Sequence, residues 1–341
     1  MKSINPYNNK LNKEYKELSG KKIESIIANV EHAQKKYKHS TYGERSEKMK
    51  SLAELLRKNK TQYARLMTLE MGKLLGESEA EIEKCAWVCD YYADNAEIFL
   101  ADEVIKSDAS RSYVHFQPLG IVLAVMPWNF PFWQVFRFAA PALMAGNGAL
   151  LKHASNVPGC AMEIEKIIRE AGFPDNLFRT LLIPGKMVGE VIENPLVKAA
   201  TLTGSEKAGS SVAEKAGKNL KKTVMELGGS DPFIVLEDAE FESCCQTAVT
   251  ARMINTGQSC IAAKRFIVVE DIANAFEDRV KELMQDRKAG NPANSDTQLA
   301  PLAKPEFVED IDRQVKESIE MGATLLLGGK RMKGKGNFYE P

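Results

Sequence analysis

The chain has 341 residues, which predicts about two domains, because a single hydrophobic core usually stops growing below that length. Lysine plus arginine equals aspartate plus glutamate, at 46 each. This balance argues against a protein that holds nucleic acid or an anionic membrane by bulk charge, although it leaves room for a local basic pocket. Apolar residues make up 44% and charged residues 27%, as in an ordinary globular protein.

The sequence contains no signal for secretion or membrane insertion. Its N-terminus lacks the apolar segment of a secretory signal. The most apolar stretch, 118–151, is interrupted by Pro127, Pro131, Arg137 and Pro141, so no part of it reaches the roughly 18 apolar residues of a membrane helix. Six cysteines without regular spacing do not predict a disulfide framework. We therefore expect a cytoplasmic location.

The first 100 residues are predicted to be helical, because apolar residues recur there at helical spacing. One such stripe consists of Met49, Leu52, Ala53 and Leu56, and a second of Ile82, Cys85, Ala86, Cys89, Ala93 and Ala96.

From residue 120 onward, short apolar runs alternate with helical patterns. The predicted strands are 120–126, 148–152, 179–183, 198–203 and 222–226, and the helices between them lie near 134–145, 158–171, 187–193 and 206–218. Regular alternation of this kind is typical of βαβ units in a parallel sheet that is covered on both faces. The pattern predicts an α/β fold with a five-stranded, Rossmann-like cofactor-binding sheet.

A second α/β domain is predicted after a boundary near residues 228 and 229. Its apolar runs are 232–236, 265–269 and 324–327, and its helical patterns lie near 240–253, 271–286 and 305–320. The last six residues, 336–341, do not resemble the end of a helix or strand, so we expect this domain to be incomplete.

Cys260 gives the strongest chemical signal, because it follows a Gly-Gln-Ser turn and precedes the basic pair Lys264 and Arg265. A cysteine taken at random is more often a small buried hydrophobic residue than a nucleophile. We assign that packing role to the other five cysteines. Two of them, Cys85 and Cys89, lie one helical turn apart, but no histidine or further cysteine completes a metal site, and no metal is expected. The remaining three are Cys160, Cys244 and Cys245.

Two further segments place polar side chains directly after predicted strands. Glu226 ends a strand, and ligands of open parallel sheets bind outside the carboxyl ends of strands. A glutamate solvated in a loop is an equally good interpretation of this residue alone. The proline-flanked turn 127–131 presents Trp128 and Asn129, and taken alone it is better interpreted as a structural turn.

Phosphate binding is suggested more weakly by two other strand ends. Lys152 and Ser155 follow the second strand of the sheet, while Gly204 and Ser205 open a helix whose N-terminus a phosphate could approach. No Gly-x-Gly-x-x-Gly sequence lies near either segment, so the ordinary dinucleotide-binding fingerprint is absent.

In this order and spacing, the five segments resemble the aldehyde dehydrogenase superfamily. The resemblance extends from about residue 49 to the last residue and is closest to bacterial succinate-semialdehyde dehydrogenases. It implies Cys260 as the nucleophile, Glu226 as the general base and Asn129 as the oxyanion donor. The positions that match cofactor contacts are Trp128, Asn129, Lys152, Ser155, Gly204, Ser205 and Leu227.

The resemblance also implies a domain organisation and an oligomeric enzyme. The cofactor domain would comprise 1–105 and 120–228, the hairpin 106–119 would join subunits into a homodimer or homotetramer, and 229–341 would form an incomplete catalytic domain. Since acylating members pass their thioester to coenzyme A without a water-activating glutamate, Glu226 favours a free carboxylic acid as the product.

The expected cofactor is NADP, with NAD as a second possibility. An acidic side chain after the second strand normally binds the ribose 2′-hydroxyl of NAD and repels a 2′-phosphate. Here Lys152 and Ser155 occupy that region, and a cation with a small hydroxyl accommodates the phosphate.

Succinate semialdehyde is the expected substrate, because Arg137 lies where the similar enzymes place an arginine for the distal carboxylate. The alternative interpretation of Arg137 is a surface cation on a helix. Two positions depart from the pattern: Ile254 replaces a second arginine of some members, and Ala262 replaces a second cysteine.

Three alternatives stay open at the level of the sequence. The enzyme could prefer another aliphatic aldehyde, or the chain could be a cofactor-independent cysteine esterase. All four histidines lie outside the Cys260 segment, which disfavours a Cys–His hydrolase. The intact set of Cys260, Glu226 and Asn129 disfavours a non-catalytic protein. The expected partner is a small-molecule aldehyde, with neither nucleic acid nor a membrane.

Overall fold

A computed structural model describes residues 1–341 of the chain. The helices are α1 (Gly20–Tyr37), α2 (Tyr42–Lys58), α3 (Lys60–Met71), α4 (Leu75–Phe99), α5 (Trp133–Met144), α6 (Pro158–Glu170), α7 (Val188–Glu193), α8 (Glu206–Lys218), α9 (Phe241–Met253), α10 (Glu270–Gln285) and α11 (Pro305–Glu320). The strands are β1 (Lys2–Asn5), β2 (Lys10–Glu14), β3 (Glu103–Val104), β4 (Tyr113–Val114), β5 (Ile121–Met126), β6 (Gly148–His153), β7 (Phe178–Thr180), β8 (Val197–Thr203), β9 (Lys222–Glu226), β10 (Pro232–Val235) and β11 (Arg265–Val268).

The chain divides into two compact units. The first comprises Met1–Lys2, Glu14–Tyr63 and Glu79–Leu227, and the second comprises Ser3–Lys13, Ala64–Ser78 and Gly228–Pro341. The assignment of functional domains to parts of the chain stays a prediction.

A five-stranded parallel sheet forms the centre of the first unit, in the order β7-β6-β5-β8-β9. Helices α1, α7 and α8 pack on one of its faces, and α5 and α6 on the other, with α2 packed against α5 and α6. The apolar strands β5 and β6 are almost wholly buried, as expected for a sheet covered on both sides. The predicted Rossmann-like α/β sheet is therefore confirmed.

The hydrophobic core beneath α1 explains why that helix forms where it does. Apolar residues recur along α1 at helical spacing and pack against the sheet, including Ile23, Ile27 and Val30. Close approach of α1 to the sheet requires Gly148, since a Cβ there would lie 2.9 Å from Val30 Cγ1.

The first 14 residues depart from the helical prediction, because β1 and β2 pair as two strands. Short polar side chains make the intervening turn. The backbone N–H of Tyr7 donates to Asn5 Oδ1 at 3.0 Å, and that of Lys10 donates to Asn8 Oδ1 at 2.9 Å. Asn9 adopts the left-handed conformation, with φ 58°, which asparagine tolerates better than most residues.

The second unit contains a two-stranded parallel sheet, β10 with β11, that packs against α9 and α10. The predicted strand at 324–327 is wrong, because these residues make no backbone ladder with a neighbouring strand. Instead Leu326 and Leu327 line a cavity of about 550 Å³ with Phe276 and Val280. Leu326 stays 45% exposed, so the run 324–327 lines this cavity without forming a strand or a buried core.

Two other features of the structure bear on the sequence analysis. Strands β3 and β4 form a short antiparallel hairpin in the first unit, with Val104 and Tyr113 exposed. None of the helices combines the length and apolar character that crossing a membrane requires.

Candidate active site

Four strands bring most of the predicted site residues to one edge of the sheet in the first unit. Strands β5, β6, β8 and β9 are parallel, so their carboxyl ends and the loops that follow meet at the same edge. Strand order reverses between β5 and β8, which is where open α/β sheets bind ligands. The predicted residues on these strand ends and loops are Trp128, Asn129, Lys152, Ser155, Gly204, Ser205, Glu226 and Leu227.

The loop after β5, which carries Asn129, is fixed by a carboxylate from a distant helix. Glu81 on α4 is 5% exposed, and its Oε1 accepts hydrogen bonds from the backbone N–H groups of Phe132 and Trp133, both at 2.9 Å. No side chain of the loop itself caps α5. Glu81 therefore supplies the cap, and its negative charge at the helix N-terminus is favourable. Asn129 is half-buried, with its carboxamide oxygen buried.

His153 joins this loop to the end of β6. Its Nδ1 accepts from the backbone N–H of Ala154 at 2.9 Å, so its Nε2 carries the proton and donates to the carbonyl oxygen of Pro131 at 2.8 Å. Burial lowers the pKa of His153 from 6.5 to about 4. The imidazole is therefore neutral at physiological pH and acts as a fixed link between two loops of the site.

The residues at the end of β6 form a donor set that suits a phosphate. Lys152 is half-buried and Ser155 is exposed. The next residue, Asn156, is buried with no hydrogen-bond partner for either carboxamide atom. Leaving such a group unpaired costs roughly 1–3 kcal/mol, so a polar ligand or water is its natural partner. Ammonium, hydroxyl and amide groups all donate to phosphate oxygens, and the residues present fit a phosphorylated nucleotide.

The start of α8 lies beside the end of β9. Ser205 caps α8 by accepting from the backbone N–H of Ala208 at 3.3 Å, and the N–H of Gly204 donates to the carbonyl oxygen of Glu226 at 2.9 Å. Leu227 packs against this helix at Gly209, where a Cβ would lie 2.6 Å from Leu227 Cδ2. The glycine therefore allows Leu227 to reach the helix start.

Glu226 forms an ion pair with Arg137 within the first unit. Arg137 Nη1 lies 3.6 Å from Glu226 Oε2, and Arg137 Nη2 donates to Thr203 Oγ1 at 3.2 Å. The two charged side chains are 39% and 55% exposed, so both can exchange partners with ligands from solvent. All three residues line a cavity of about 630 Å³ that is otherwise mainly apolar, with Phe138 among its walls.

Cys260 lies in the second unit, on the loop between α9 and β11. It is half-buried, and its backbone carbonyl accepts from Lys264 Nζ at 2.7 Å. Arg252 reaches the same loop and donates to the carbonyl oxygen of Ala263 at 3.3 Å. Burial lowers the pKa of Arg252, but the ordinary value for a guanidinium is so high that it stays charged. Two cations thus bind the backbone of the loop that carries the cysteine.

The other five cysteines lie in the packed interior or at its margin, as predicted. Four of them are fully buried: Cys85, Cys89, Cys160 and Cys245. Cys244 is half-buried and packs against the core of the second unit. Burial raises the pKa of the Cys89 thiol, which keeps it protonated and unreactive.

Sequence reasoning missed three residues whose side chains contact loops that carry predicted site residues. Two are Glu81 and His153, and the third is Glu77, whose Oε1 accepts from the backbone N–H of Asn255 at 3.0 Å. The two glutamates lie at i, i+4 on α4, and only Glu81 is buried, next to the apolar stripe that begins at Ile82, so its position was the available signal. His153 stands between Lys152 and Ser155, but nothing in the sequence indicates Pro131 as its partner.

Comparison with known proteins agrees with this architecture. The profile of the aldehyde dehydrogenase family matches residues 1–341, so this chain belongs to that family and is an oxidoreductase. A probable succinate-semialdehyde dehydrogenase [NADP(+)] of Synechocystis sp. is 53% identical over 305 residues, covering 89% of this chain and 67% of the relative. The succinate-semialdehyde dehydrogenase [NADP(+)] of Mycolicibacterium paratuberculosis is 49% identical over 343 residues, covering 99% and 73%.

Solved structures confirm the fold. Succinic semialdehyde dehydrogenase from Streptococcus pyogenes, in complex with NADP+ as the cofactor, has a TM-score of 0.97 at 36% identity, covering 100% of this chain and 75% of that one. Betaine aldehyde dehydrogenase from Staphylococcus aureus, in complex with NAD+, has a TM-score of 0.95 at 29% identity and covers 100% and 69%.

Proposed function

We propose that this protein oxidises succinate semialdehyde to the carboxylic acid with NADP+ as its preferred oxidant, and that it uses NAD+ less well. The observation that carries the proposal is the position of Arg137 beside Glu226 in one cavity. A cation there suits an aldehyde with a distal carboxylate. The names of the relatives from Synechocystis sp. and M. paratuberculosis support the same substrate.

We assign the chemical steps to three side chains. The Cys260 thiolate adds to the aldehyde carbon, and the Asn129 amide with the Cys260 backbone N–H donates hydrogen bonds to the resulting oxyanion. Removing one such donor typically lowers the rate roughly 10² to 10³-fold. A bound nicotinamide would supply the acceptor for the hydride, and a thioester would remain on Cys260. Glu226 takes a proton from the water that attacks this thioester, which releases the acid and restores the thiolate.

Arg137 would serve two carboxylates in turn. In the structure it pairs with Glu226, and a half-exposed ion pair of this kind is worth about 0–1 kcal/mol. The distal carboxylate of the substrate can therefore take over the guanidinium at little cost. Its arrival frees Glu226 for its role as base.

Lys152, Ser155 and Asn156 would hold the phosphate that distinguishes NADP from NAD. We expect a Ser155→Glu enzyme to lose preference for NADP+, because a carboxylate at this position repels the 2′-phosphate and can accept from the 2′-hydroxyl of NAD+. Measuring kcat/KM with both cofactors tests this assignment. A Ser210→Glu enzyme, changed at an exposed position on α8, is the control. Strict NAD+ use by the unmodified enzyme contradicts the cofactor proposal.

A substrate panel tests the proposed function. Succinate semialdehyde, glutarate semialdehyde, acetaldehyde and hexanal are compared with each cofactor, and we expect the highest kcat/KM for succinate semialdehyde. Arg137→Gln should lower that value roughly 10- to 150-fold, as expected for loss of a charge-assisted hydrogen bond of 1.5–3 kcal/mol, while hexanal is affected much less. Arg169→Gln, on the exposed surface of α6, is the control.

A preference for hexanal would contradict the substrate, and turnover without any cofactor would favour an esterase. If Arg137→Gln lowers kcat/KM equally for hexanal and succinate semialdehyde, Arg137 does not bind the distal carboxylate and acts only through its ion pair with Glu226.

We also propose a homodimer or homotetramer in the cytoplasm, with residues 106–119 as the hairpin that joins subunits. Association through this hairpin is supported by exposed apolar side chains on and beside it: Val104, Ile105, Tyr113, Val114 and Phe116. Six free cysteines support the compartment. Sedimentation velocity with Val104→Lys tests the hairpin, since a charged residue should shift the enzyme to monomers.

A further inference from the structure

The backbone before Cys260 follows an unusual path. Asn255, Thr256 and Gly257 are consecutive left-handed residues, with φ values of 53°, 55° and 75°. Asparagine and glycine tolerate this conformation, but a β-branched residue such as Thr256 is a genuine outlier. Residues in such conformations persist only where their surroundings determine them strongly, and they are concentrated at functional sites. Some contact must therefore hold this turn.

Contacts inside the second unit account for the turn, and one of them comes from α4. Glu77 Oε1 accepts from the backbone N–H of Asn255 at 3.0 Å, across 178 residues of sequence. Within the turn, Gln258 Nε2 donates to the carbonyl oxygen of Asn255 at 3.1 Å, and Gln258 Oε1 accepts from the N–H of Ala303 at 3.0 Å. The turn is thus attached at both ends to elements outside the loop.

We propose that Glu77 is a positioning residue for the nucleophile loop. Asn255 is 1% exposed, so its N–H is withdrawn from water and needs an acceptor. The Glu77 carboxylate provides it and thereby fixes the first residue of the left-handed turn, five residues before Cys260. Without this acceptor the turn relaxes towards an ordinary conformation and carries the thiol with it. Displacements of about 1 Å in a reacting group can lower a rate roughly 10²-fold.

Glu77 itself is well placed for this role. It lies in the first turn of α4, where the helix N-terminus stabilises a carboxylate, and its helix is held in the second unit by the N–H of Leu75, which donates to Pro292 O at 2.9 Å. The inference rests on Cys260 being the nucleophile, as proposed above, but not on the identity of the aldehyde.

Kinetics and cysteine alkylation together test the inference. We expect Glu77→Ala to lower kcat roughly 10- to 100-fold with little change in KM, because the reacting group moves while the substrate contacts stay. The rate of Cys260 alkylation by iodoacetamide, and its dependence on pH, should change in parallel. Glu77→Gln should restore both, since its carboxamide oxygen still accepts from Asn255 N–H. Glu79→Ala is the matched control, because Glu79 is on the same helix but accepts from the Thr61 hydroxyl.

Two outcomes overturn the inference: Glu77→Ala with unchanged kcat and alkylation, or Glu77→Gln as impaired as Glu77→Ala. If Glu77→Ala does not fold, Glu77→Asp replaces it, because the shorter side chain keeps the charge at the helix start and withdraws the acceptor. Normal kcat in Glu77→Asp then overturns the inference. Oxidation by a Cys260→Ser enzyme would instead refute the proposed nucleophile, so the two failures are distinguishable.

Discussion

Thr256 and Gly257 hold adjacent left-handed positions, and we expect substitutions at the two positions to change stability in opposite directions. Thr256 has a branched side chain at φ 55°, and the left-handed conformation costs a residue of this kind roughly 1–2 kcal/mol. Gly257 follows at φ 75°, and a Cβ there would lie 2.9 Å from Arg252 Nη2. Only one of the two positions is therefore occupied by the residue type that its backbone favours.

We expect Thr256→Gly to raise the melting temperature by a few degrees, because glycine adopts this conformation without strain. Relief of the strain should also loosen the turn, so kcat should fall although the protein is more stable. Differential scanning calorimetry and steady-state kinetics measure the two effects. Lower stability in Thr256→Gly would mean that contacts of the threonine side chain outweigh its backbone strain.

Gly257→Ala is expected to destabilise the protein by about 1–3 kcal/mol, because it combines an unfavourable φ with a close contact to Arg252. Thermal unfolding measures the loss. Gly217→Ala is the control, since glycine 217 lies in α8 with nothing within 4 Å of the added Cβ. That control should be neutral or stabilising, as alanine favours a helix more than glycine does.

The site residues proposed from the sequence stand in segments whose information is local, and their roles stay predictions. Cys260, Glu226 and Asn129 each stand in a short motif, and their positions at strand ends or beside a Gly-Gln-Ser turn could be read directly. Their supporting contacts could not be, because the partners are far apart in sequence. Glu81 is 51 residues from Phe132, and Glu77 is 178 residues from Asn255. Nothing in the amino-acid pattern indicates which backbone N–H a given carboxylate will meet.

At the scale of elements, α4 supplies hydrogen-bond acceptors to two loops that carry predicted site residues. Its Glu81 caps α5 in the first unit, while its Glu77 holds Asn255 in the second. The apolar stripe of α4 predicted a buried helix but not this second role. The same helix thus contributes a carboxylate contact to one loop in each unit.

We expect Glu81→Ala to destabilise the protein by about 1–2 kcal/mol, the usual effect of losing a helix cap, and to lower kcat because the loop of Asn129 loses its anchor. Glu81→Gln should be milder, since its carboxamide oxygen can still accept. Urea unfolding and kinetics measure the effects. Glu83 lies on the same helix as Glu81 and forms a surface ion pair with Arg57. Glu83→Ala removes this ion pair and should lower stability by at most about 1 kcal/mol. Equal effects at positions 81 and 83 would contradict the capping role.

Helices and strands were predicted well where they alternate regularly along the chain. They were predicted poorly where the formation of a strand depends on whether a partner strand is present. Each of the five predicted strands of the parallel sheet overlaps an observed one, although β7 covers Phe178–Thr180 rather than 179–183. The buried strands β5 and β6 are continuous apolar runs, which is why their pattern is clear. The apolar run 324–327 has the same composition but no ladder partner. Residues 2–14 carry few apolar side chains, so the turn made by Asn5, Asn8 and Asn9 was needed to identify β1 and β2.

For the whole molecule, His153 couples stability to pH. Its pKa in the folded protein is about 4, below the ordinary 6.5. Between pH 4 and 6.5 the unfolded chain therefore binds a proton at His153 that the folded protein does not bind. The stability contributed by the neutral imidazole is therefore fully present above pH 6.5 and decreases as pH falls towards 4. One pKa unit corresponds to roughly 1.4 kcal/mol, so the loss attributable to His153 is about 3 kcal/mol.

We expect His153→Gln to be less sensitive to acid than the unmodified protein, because glutamine does not titrate and its Nε2 can still donate to Pro131 O. Melting temperatures measured across the window test this expectation. His39→Gln, at an exposed position, is the control and should retain the full acid sensitivity. An unchanged pH profile in His153→Gln would assign the acid sensitivity to other groups.

Strand β9 is the edge of the five-stranded sheet and carries Glu226 at its end. It has a neighbour, β8, on one side only, and most of its residues are exposed, whereas β5 is paired on both sides and buried. Amide hydrogens of β9 should therefore exchange with deuterated solvent well before those of β5, through local opening that leaves the rest of the sheet intact. The proposed base thus lies on a strand that should open locally more readily than the central strand β5. Its carboxylate can turn from Arg137 towards water without disturbing the core beneath it.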